Sequence, residues 1–230
     1  MLNYAIDPQI VAPFVPAGTE LDFHNGETYV SLVGFLFQRT RLCGLHIPYH
    51  ANFEEVNLRF YVRREVNGEL RRGVVFIREL VPRRAVTLVA NLFYGENYRT
   101  VRMGHRIERD AGAATGAPPR ELEYRWCFAG RTHRIALQTS GPAHALQQDS
   151  HEEFIAEHYW GYTALPRRRS AEYQVAHPPW LVCRAASSLV DVDVASIYGE
   201  QFAPFLNREP TSAFWANGSP VRVYSGRRLQ

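Results

Sequence analysis

Residues 53–80 read FEEVNLRFYVRREVNGELRRGVVFIREL. Two strand-like runs flank Asn67-Gly68, and Asn-Gly suits a two-residue type I′ turn because both central residues need φ > 0. A two-residue turn also fixes the register, so Arg64 is expected opposite Arg71 and Arg63 opposite Arg72. Like charges directly across a strand pair repel, and Glu65 and Glu69 are the nearest acids in sequence to relieve them. A solvated hairpin tip is the plainer account of these arginines; contact with an anion or a partner is the functional one. Further from the turn the faces separate. Leu58, Phe60 and Val62 lie with Val75 and Ile77 on an apolar face. Asn57, Arg59 and Tyr61 lie with Val74, Phe76 and Arg78 on a mixed aromatic and cationic one. That second face is either an outer sheet face with Arg59 stacked on Phe76 or the wall of a pocket, and spacing leaves both open.

The same turn signal recurs. Asn25-Gly26 stands between ELDFH and ETYVSLVGFLF, Asn217-Gly218 between SAFWA and SPVRVYS, and Ala129-Gly130 between LEYRWCF and RTHRIALQ. Several antiparallel hairpins predict a mainly β protein built on a barrel or strongly curved sheet. Tyr29 to Phe37 is apolar on both alternating faces and reads as a central covered strand. Arg83 to Tyr94 carries apolar residues at helical spacing, with Pro82 at its entrance and Gly95 past its end. A second short helix is expected near Asp149, with Glu152 as its capping-box partner. Asp110 to Arg120 reads as a long hairpin loop. With no internal repeat, residues 1–230 are expected to form a single domain.

All 26 basic residues are arginine; the chain holds no lysine. Schiff-base, pyridoxal-phosphate and P-loop lysines are therefore excluded. A net charge of +3 is no footprint of a dedicated nucleic-acid binder, although Arg167, Arg168 and Arg169 follow the aromatic run HYWGYT in the manner of a single-strand site. Cys43, Cys127 and Cys183 are far apart and form no CxxC, which fits a reducing compartment. The first residues lack a basic n-region and a long apolar run, so no signal peptide is expected. No stretch approaches the roughly 18 apolar residues of a membrane helix. A cytoplasmic protein with no membrane contact is the expectation, and a homo-oligomer is compatible with it.

Few motifs carry chemistry by themselves. In NYRTVRM, Tyr98, Thr100 and Arg102 share one face, while Val101 and Met103 share the other; the first set can hold a carboxylate or form a solvated edge. His46 and His50 are separated by Pro48, which forbids a regular helix. His151 and His158 lack the compact motif of a zinc helix, and a solvated helix face is the expectation for them. No metal site and no cofactor are expected. Asp191 and Asp193 alternate with valines as in a half-exposed strand. The serines lack a G-x-S-x-G elbow.

Taken in order, HNGETYVSLVGF, FEEVNLRFYV, RRGVVFIREL, NYRTVRM and EHYWGYT resemble the bacterial YqjF-like family of uncharacterised proteins, from about Val15 to Tyr224. Glu55 to Val62 and Tyr98 to Met103 are the most specific parts. More distantly, that family resembles the acetoacetate-decarboxylase-like superfamily. The resemblance implies a closed, cone-shaped antiparallel β-barrel with a few helices and an internal pocket. In acetoacetate decarboxylases the nucleophile is a lysine in a G-Y-P-K-type strand. The counterpart here, Gly95 to Val101, holds no lysine, and Arg99 stays protonated and cannot form a productive imine. The resemblance therefore supports fold and pocket but not the family reaction.

The expectation is a barrel that binds a small, partly apolar, anionic molecule without Schiff-base chemistry. Asn57, Arg59, Tyr61, Tyr98 and Arg102 should converge, with two arginine forks clamping a carboxylate; Tyr159 is added by the resemblance of EHYWGYT alone. Glu55, Glu79 and Glu96 are candidate internal partners for the arginines. The alternatives are an enzyme in which Tyr and Arg stabilise an enolate or carboxylate, and an interaction module that uses the Arg-rich tips.

Overall fold

The computed structural model describes residues 1–42, 45–46, 51–89, 97–114, 116–167 and 169–229. Its strands are β1 (Leu2–Ile6), β2 (Glu20–Leu21), β3 (Thr28–Phe37), β4 (Arg41–Leu42), β5 (Leu45–His46), β6 (Phe53–Val66), β7 (Glu69–Val81), β8 (Tyr98–Thr100), β9 (Arg102–Glu108), β10 (Glu121–Phe128), β11 (Arg131–Thr139), β12 (His144–Ala145), β13 (Trp160–Leu165), β14 (Arg169–Ala176), β15 (Leu181–Asp191), β16 (Ser212–Ala216), β17 (Arg222–Val223) and β18 (Arg227–Leu229). The short helices are α1 (Pro8–Val11), α2 (Arg84–Val89), α3 (His151–Ala156), α4 (Val194–Tyr198) and α5 (Ala203–Leu206). The protein is mainly β, as the hairpin signals predict.

Among the described residues one hydrogen-bonded path runs β17-β14-β13-β7-β6-β3-β1-β16-β15-β11-β10-β9 and is open at both ends. Pairing alone therefore does not draw the closed ring that the family resemblance implies. Nor is the sheet wholly antiparallel, since β13 and β8 each run parallel to β7. β9 follows β8 after the single residue Val101, whose N–H donates to Val81 O on β7 at 2.9 Å.

Three of the four expected turns form. Asn67 and Gly68 have φ of 52° and 80°, and Arg64 faces Arg71 as the two-residue turn requires. Ala129-Gly130 joins β10 to β11, and Asn25-Gly26 closes a bridge between His24 and Glu27. Asn217-Gly218 makes no hairpin. β16 pairs with β1 and β15, whereas β17 pairs with β14. Asn217 is instead stitched to Leu181: its N–H donates to the Leu181 carbonyl and its Oδ1 accepts from the Leu181 N–H, both at 3.1 Å. Of the helix expected over Arg83 to Tyr94, α2 is described over Arg84–Val89; residues 90–96 lie outside the described residues. The cap of α3 sits one residue later than expected: Ser150 accepts from Glu153 N–H, and Glu153 answers at Asp149 N–H.

β1, β3 and β6 bury both faces. One face, with Leu2, Tyr4, Val30, Leu32, Leu58 and Phe60, packs with Tyr124 and Trp126 of β10 and with α4 and α5. Gly34 on β3 is needed for that approach, because a Cβ there would lie 2.6 Å from the Tyr124 ring. The other face lies under α3, whose Phe154 and Ile155 pack with Tyr29, Tyr61 and Val74.

The like charges at the β6–β7 tip are relieved mainly from elsewhere in the chain. Glu172 on β14, 1% exposed, accepts from Arg64 Nη1 at 2.9 Å, Arg71 Nη1 at 3.3 Å and Arg227 Nε at 2.5 Å. Arg63 pairs with Glu20 and Arg72 with Asp22, at 2.8 and 2.7 Å. Of the two acids near the turn, Glu69 reaches Arg71 at 3.2 Å.

Candidate functional site

A bulge in β7 decides what faces Asn57. Pairing keeps the turn's register as far as Arg59 opposite Phe76, then shifts to Leu58 opposite Arg78 and Asn57 opposite Glu79, with Ile77 as the extra residue. An unbroken register would have placed Arg78 beside Asn57, and that expected facing is corrected here. Ile77 stays in the apolar core, and Arg78 turns to the same side, where its Nη1 donates to the Ile197 carbonyl in the last turn of α4. Glu79 takes the place beside Asn57, and its own neighbour on β8 is Tyr98.

Glu55, Asn57, Glu79 and Tyr98 thus meet on three adjacent strands. Glu55 Oε1 accepts from Asn57 Nδ2 at 2.9 Å and Oε2 accepts from the Tyr98 hydroxyl at 3.0 Å. Glu79 lies within hydrogen-bonding reach of the same hydroxyl. Glu55, Asn57 and Glu79 are each 1% exposed. Burial pushes the Glu55 carboxyl up to about 7, against the lowering pull of Asn57, Tyr98 and the Arg59 charge. Burial, then the charges of Glu55 and Glu79, hold the Tyr98 hydroxyl well above the usual phenol range.

Arg59 continues this face on β6. Its Nη2 donates to the Ile155 carbonyl of α3 at 3.3 Å and touches Met1 Sδ at 3.8 Å. Its guanidinium lies 5.8 Å from the centre of the Tyr61 ring, so the aromatic partner is Tyr61 rather than the expected Phe76. Tyr61 begins a buried hydroxyl chain. Its OH donates to Ser31 Oγ at 2.6 Å, Ser31 donates to Asn3 Oδ1 at 2.6 Å, and Asn3 Nδ2 donates to Ser212 Oγ at 2.9 Å. Among the described residues, the donor Arg59 Nε and the acceptor Asn57 Oδ1 of this face are buried with no hydrogen-bond partner.

His158 covers the same face. Its ring lies 4.7 Å from that of Tyr61, and its Nε2 is 3.8 Å from Asp22 Oδ2, too long for a hydrogen bond. Burial pushes its imidazole down to about 4, so it is neutral near pH 7. A solvated helix face, the sequence expectation for His151 and His158, is therefore corrected for His158: it lies just past α3 and is buried. Among the described residues no group of three metal-ligating side chains forms, and no helix is long and apolar enough to cross a membrane.

Of the six residues expected to converge, Asn57, Arg59, Tyr61 and Tyr98 do so. Arg102 does not join them. It is exposed on β9, with Nη2 4.0 Å from Cys127 Sγ on β10. The short β8 ends at Thr100, which breaks the shared face that NYRTVRM suggests. Tyr159 also stands apart, bonded through its OH to Glu157 and stacked on His177 at 4.9 Å. The arginine partner Glu96, with Cys43, His50 and Arg168, lies outside the described residues. Sequence reasoning missed Asn3, Ser31 and Asp22, and weighed His158 only as a metal ligand or a solvated residue. The lone Ser31 within the apolar run YVSLVGF was the one available signal.

Residues 1–220 match the model of DUF2071, described as an uncharacterized conserved protein. The chain belongs to the DUF2071 family. A relative, the uncharacterized protein YqjF of Bacillus subtilis (strain 168), is 26% identical over 229 residues, covering 97% of this chain and 88% of the relative. Among solved structures, this DUF2071 chain is similar to the enduracididine biosynthesis enzyme MppR complexed with pyruvate (TM-score 0.64, 15% identity, covering 100% of this chain and 86% of that one). It is also similar to an acetoacetate-decarboxylase-like enzyme from Sphingomonas wittichii RW1 (TM-score 0.63, 14% identity, 100% and 89%). A third is acetoacetate decarboxylase from Legionella pneumophila (TM-score 0.60, 9% identity, 100% and 83%). These likenesses establish the fold of the DUF2071 chain. On that fold its buried polar face offers one guanidinium, a carboxyl able to exchange a proton near neutral pH, a tyrosine hydroxyl and an amide.

Proposed function

We propose that the protein binds a small carboxylate of the α-oxo-acid class on the face formed by Asn57, Arg59, Tyr61 and Tyr98, without forming an imine. One observation carries the reading: Arg59 Nε, a donor on this strand face, is buried with no hydrogen-bond partner among the described residues. Buried polar atoms are otherwise paired, and exceptions mark places where a ligand or water belongs. Arg59 supplies the positive charge for the carboxylate, and burial, which pushes the Glu55 carboxyl up to about 7, reduces the opposing charge of that neighbour. The pyruvate held by MppR supports this ligand class. Arg102 and Tyr159 are left out of the site.

We also propose that the sheet acts as a closed barrel. β9 is one residue removed from β8, which pairs with β7, and His105 on β9 reaches Glu54 on β6 at 2.8 Å. These links join the far end of the path to its middle. The free thiols of Cys127 and Cys183 support a reducing, cytoplasmic setting.

Titration with pyruvate followed by ligand-observed NMR tests the binding. Saturable binding is expected, weakened about tenfold or more in Arg59→Gln, because a hydrogen bond to a charged group is lost. Borohydride added with pyruvate or acetoacetate should leave every internal residue unmodified. A stable adduct on an internal side chain, or equal binding by Arg59→Gln, would overturn the reading.

A further inference from the structure

We infer that Glu55 is a catalytic base that removes a proton from the carbon next to the carbonyl of a bound α-oxo acid. This rests on the binding reading above and adds a reaction to it. Glu55 stands two residues from Asn57 and four from Arg59 along β6, and the three meet on one buried face. Each of its oxygens accepts one hydrogen bond, from Asn57 and from Tyr98. Each keeps a second lone pair, so the carboxylate is oriented without being saturated.

The step balances within the site. The carbon–hydrogen bond breaks and its proton forms an O–H bond on Glu55. The electron pair becomes a carbon–carbon double bond, and the carbonyl electrons move onto oxygen. Arg59, which faces both the carboxylate and the adjacent carbonyl of the bound oxo acid and whose Nε has no partner among the described residues, is the positive donor for that oxygen. Reversal returns a proton to carbon after Glu55 has exchanged with solvent. No lysine, metal or second reactant is required.

Burial makes Glu55 a stronger base than an exposed carboxylate, with its midpoint at about 7. The other groups facing it are Arg59 on its own strand, Glu79 on β7 and Tyr98 on β8, with Tyr173 of β14 acting on Tyr98. The Tyr98 hydroxyl stays protonated in this range, and His158, on the Tyr61 side of the face, stays neutral above about 4. The exchange rate should therefore follow Glu55.

The test uses the full chain in D2O with pyruvate, recording loss of the methyl proton signal. Exchange should exceed the buffer control, rise with pH through about 7 and then level. Glu55→Gln should slow it about a hundredfold while binding pyruvate within about threefold of the parent, since the amide keeps the shape of the carboxyl and half of its acceptor capacity. Pyruvate binding without exchange, or exchange at the parent rate in Glu55→Gln, overturns the inference and leaves the binding proposal standing. Absence of pyruvate binding overturns both. The pH profile of the unmodified protein decides the matter even where the variant folds poorly: a rate flat between pH 6 and 8 would also refute it.

Discussion

At the tip of the β6–β7 hairpin a buried carboxylate, Glu172, sits among the guanidinium groups of Arg64, Arg71 and Arg227. At the base of the same hairpin another buried carboxylate, Glu55, takes its hydrogen bonds from a neutral amide and a neutral phenol. Both are 1% exposed. Burial is thus held constant while the neighbours change. Three cations turn the first acid into a clamp joining β6, β7, β14 and β18. Neutral donors and one nearby arginine leave the second with a proton that it can give and take near neutral pH. A carboxyl tied down by several cations is a structural part, whereas one tuned by desolvation is available for chemistry.

Breaking the clamp should have the largest effect. Glu172→Ala leaves Arg64 and Arg71, both largely buried, without their shared partner, and should cost about 4 kcal/mol of unfolding free energy, the scale for removing one member of a buried ion pair. Arg227, well exposed, adds little. Urea titration reads the loss; a change under about 1 kcal/mol would mean that the tip does not depend on its acid.

The base should respond in the opposite sense. Glu55 binds its proton more tightly folded, at about 7, than at its ordinary 4.5. Its contribution to stability is therefore full below about pH 4.5 and is lost as pH rises towards 7. Glu55→Gln removes that loss. The variant should be stabilised by about 3 kcal/mol relative to the parent at pH 8, from a pKa shift of this size, and should match it near pH 4. Parallel urea curves at the two pH values check this, and an equal offset at both would place the effect elsewhere.

The smallest change should come from Arg102, outside both regions. Arg102→Ala should alter stability by less than about 0.5 kcal/mol, as exposed substitutions do, and should leave pyruvate binding intact. Its local effect should be on Cys127, whose thiol is held below the usual range by Thr132 and Arg102. Slower alkylation of Cys127 at neutral pH is the expected readout.

Legibility in the sequence followed the range of the interactions. Asn67-Gly68 needs only its own φ angles, and it correctly places Arg64 against Arg71. Ser150 and Glu153 cap α3 through neighbouring backbone groups, so the helix was legible to within one residue. The Asn217-Gly218 turn failed because Asn217 bonds to Leu181, 36 residues away. The face of Asn57, Arg59 and Tyr61 could be read from strand alternation, but its burial under α3 could not.

By itself, the sequence determined the hairpin, its register near the turn and the absence of any lysine, and with it the loss of imine chemistry on internal side chains. These are properties of covalent structure and of contacts a few residues long. Only the tertiary structure decided that Ile77 bulges, that Glu79 rather than Arg78 meets Asn57, that Glu172 answers arginines about a hundred residues away in the chain, and that Arg102 stays outside. Each of those depends on packing between strands distant in sequence, where a one-residue shift in register changes which side chains share a face.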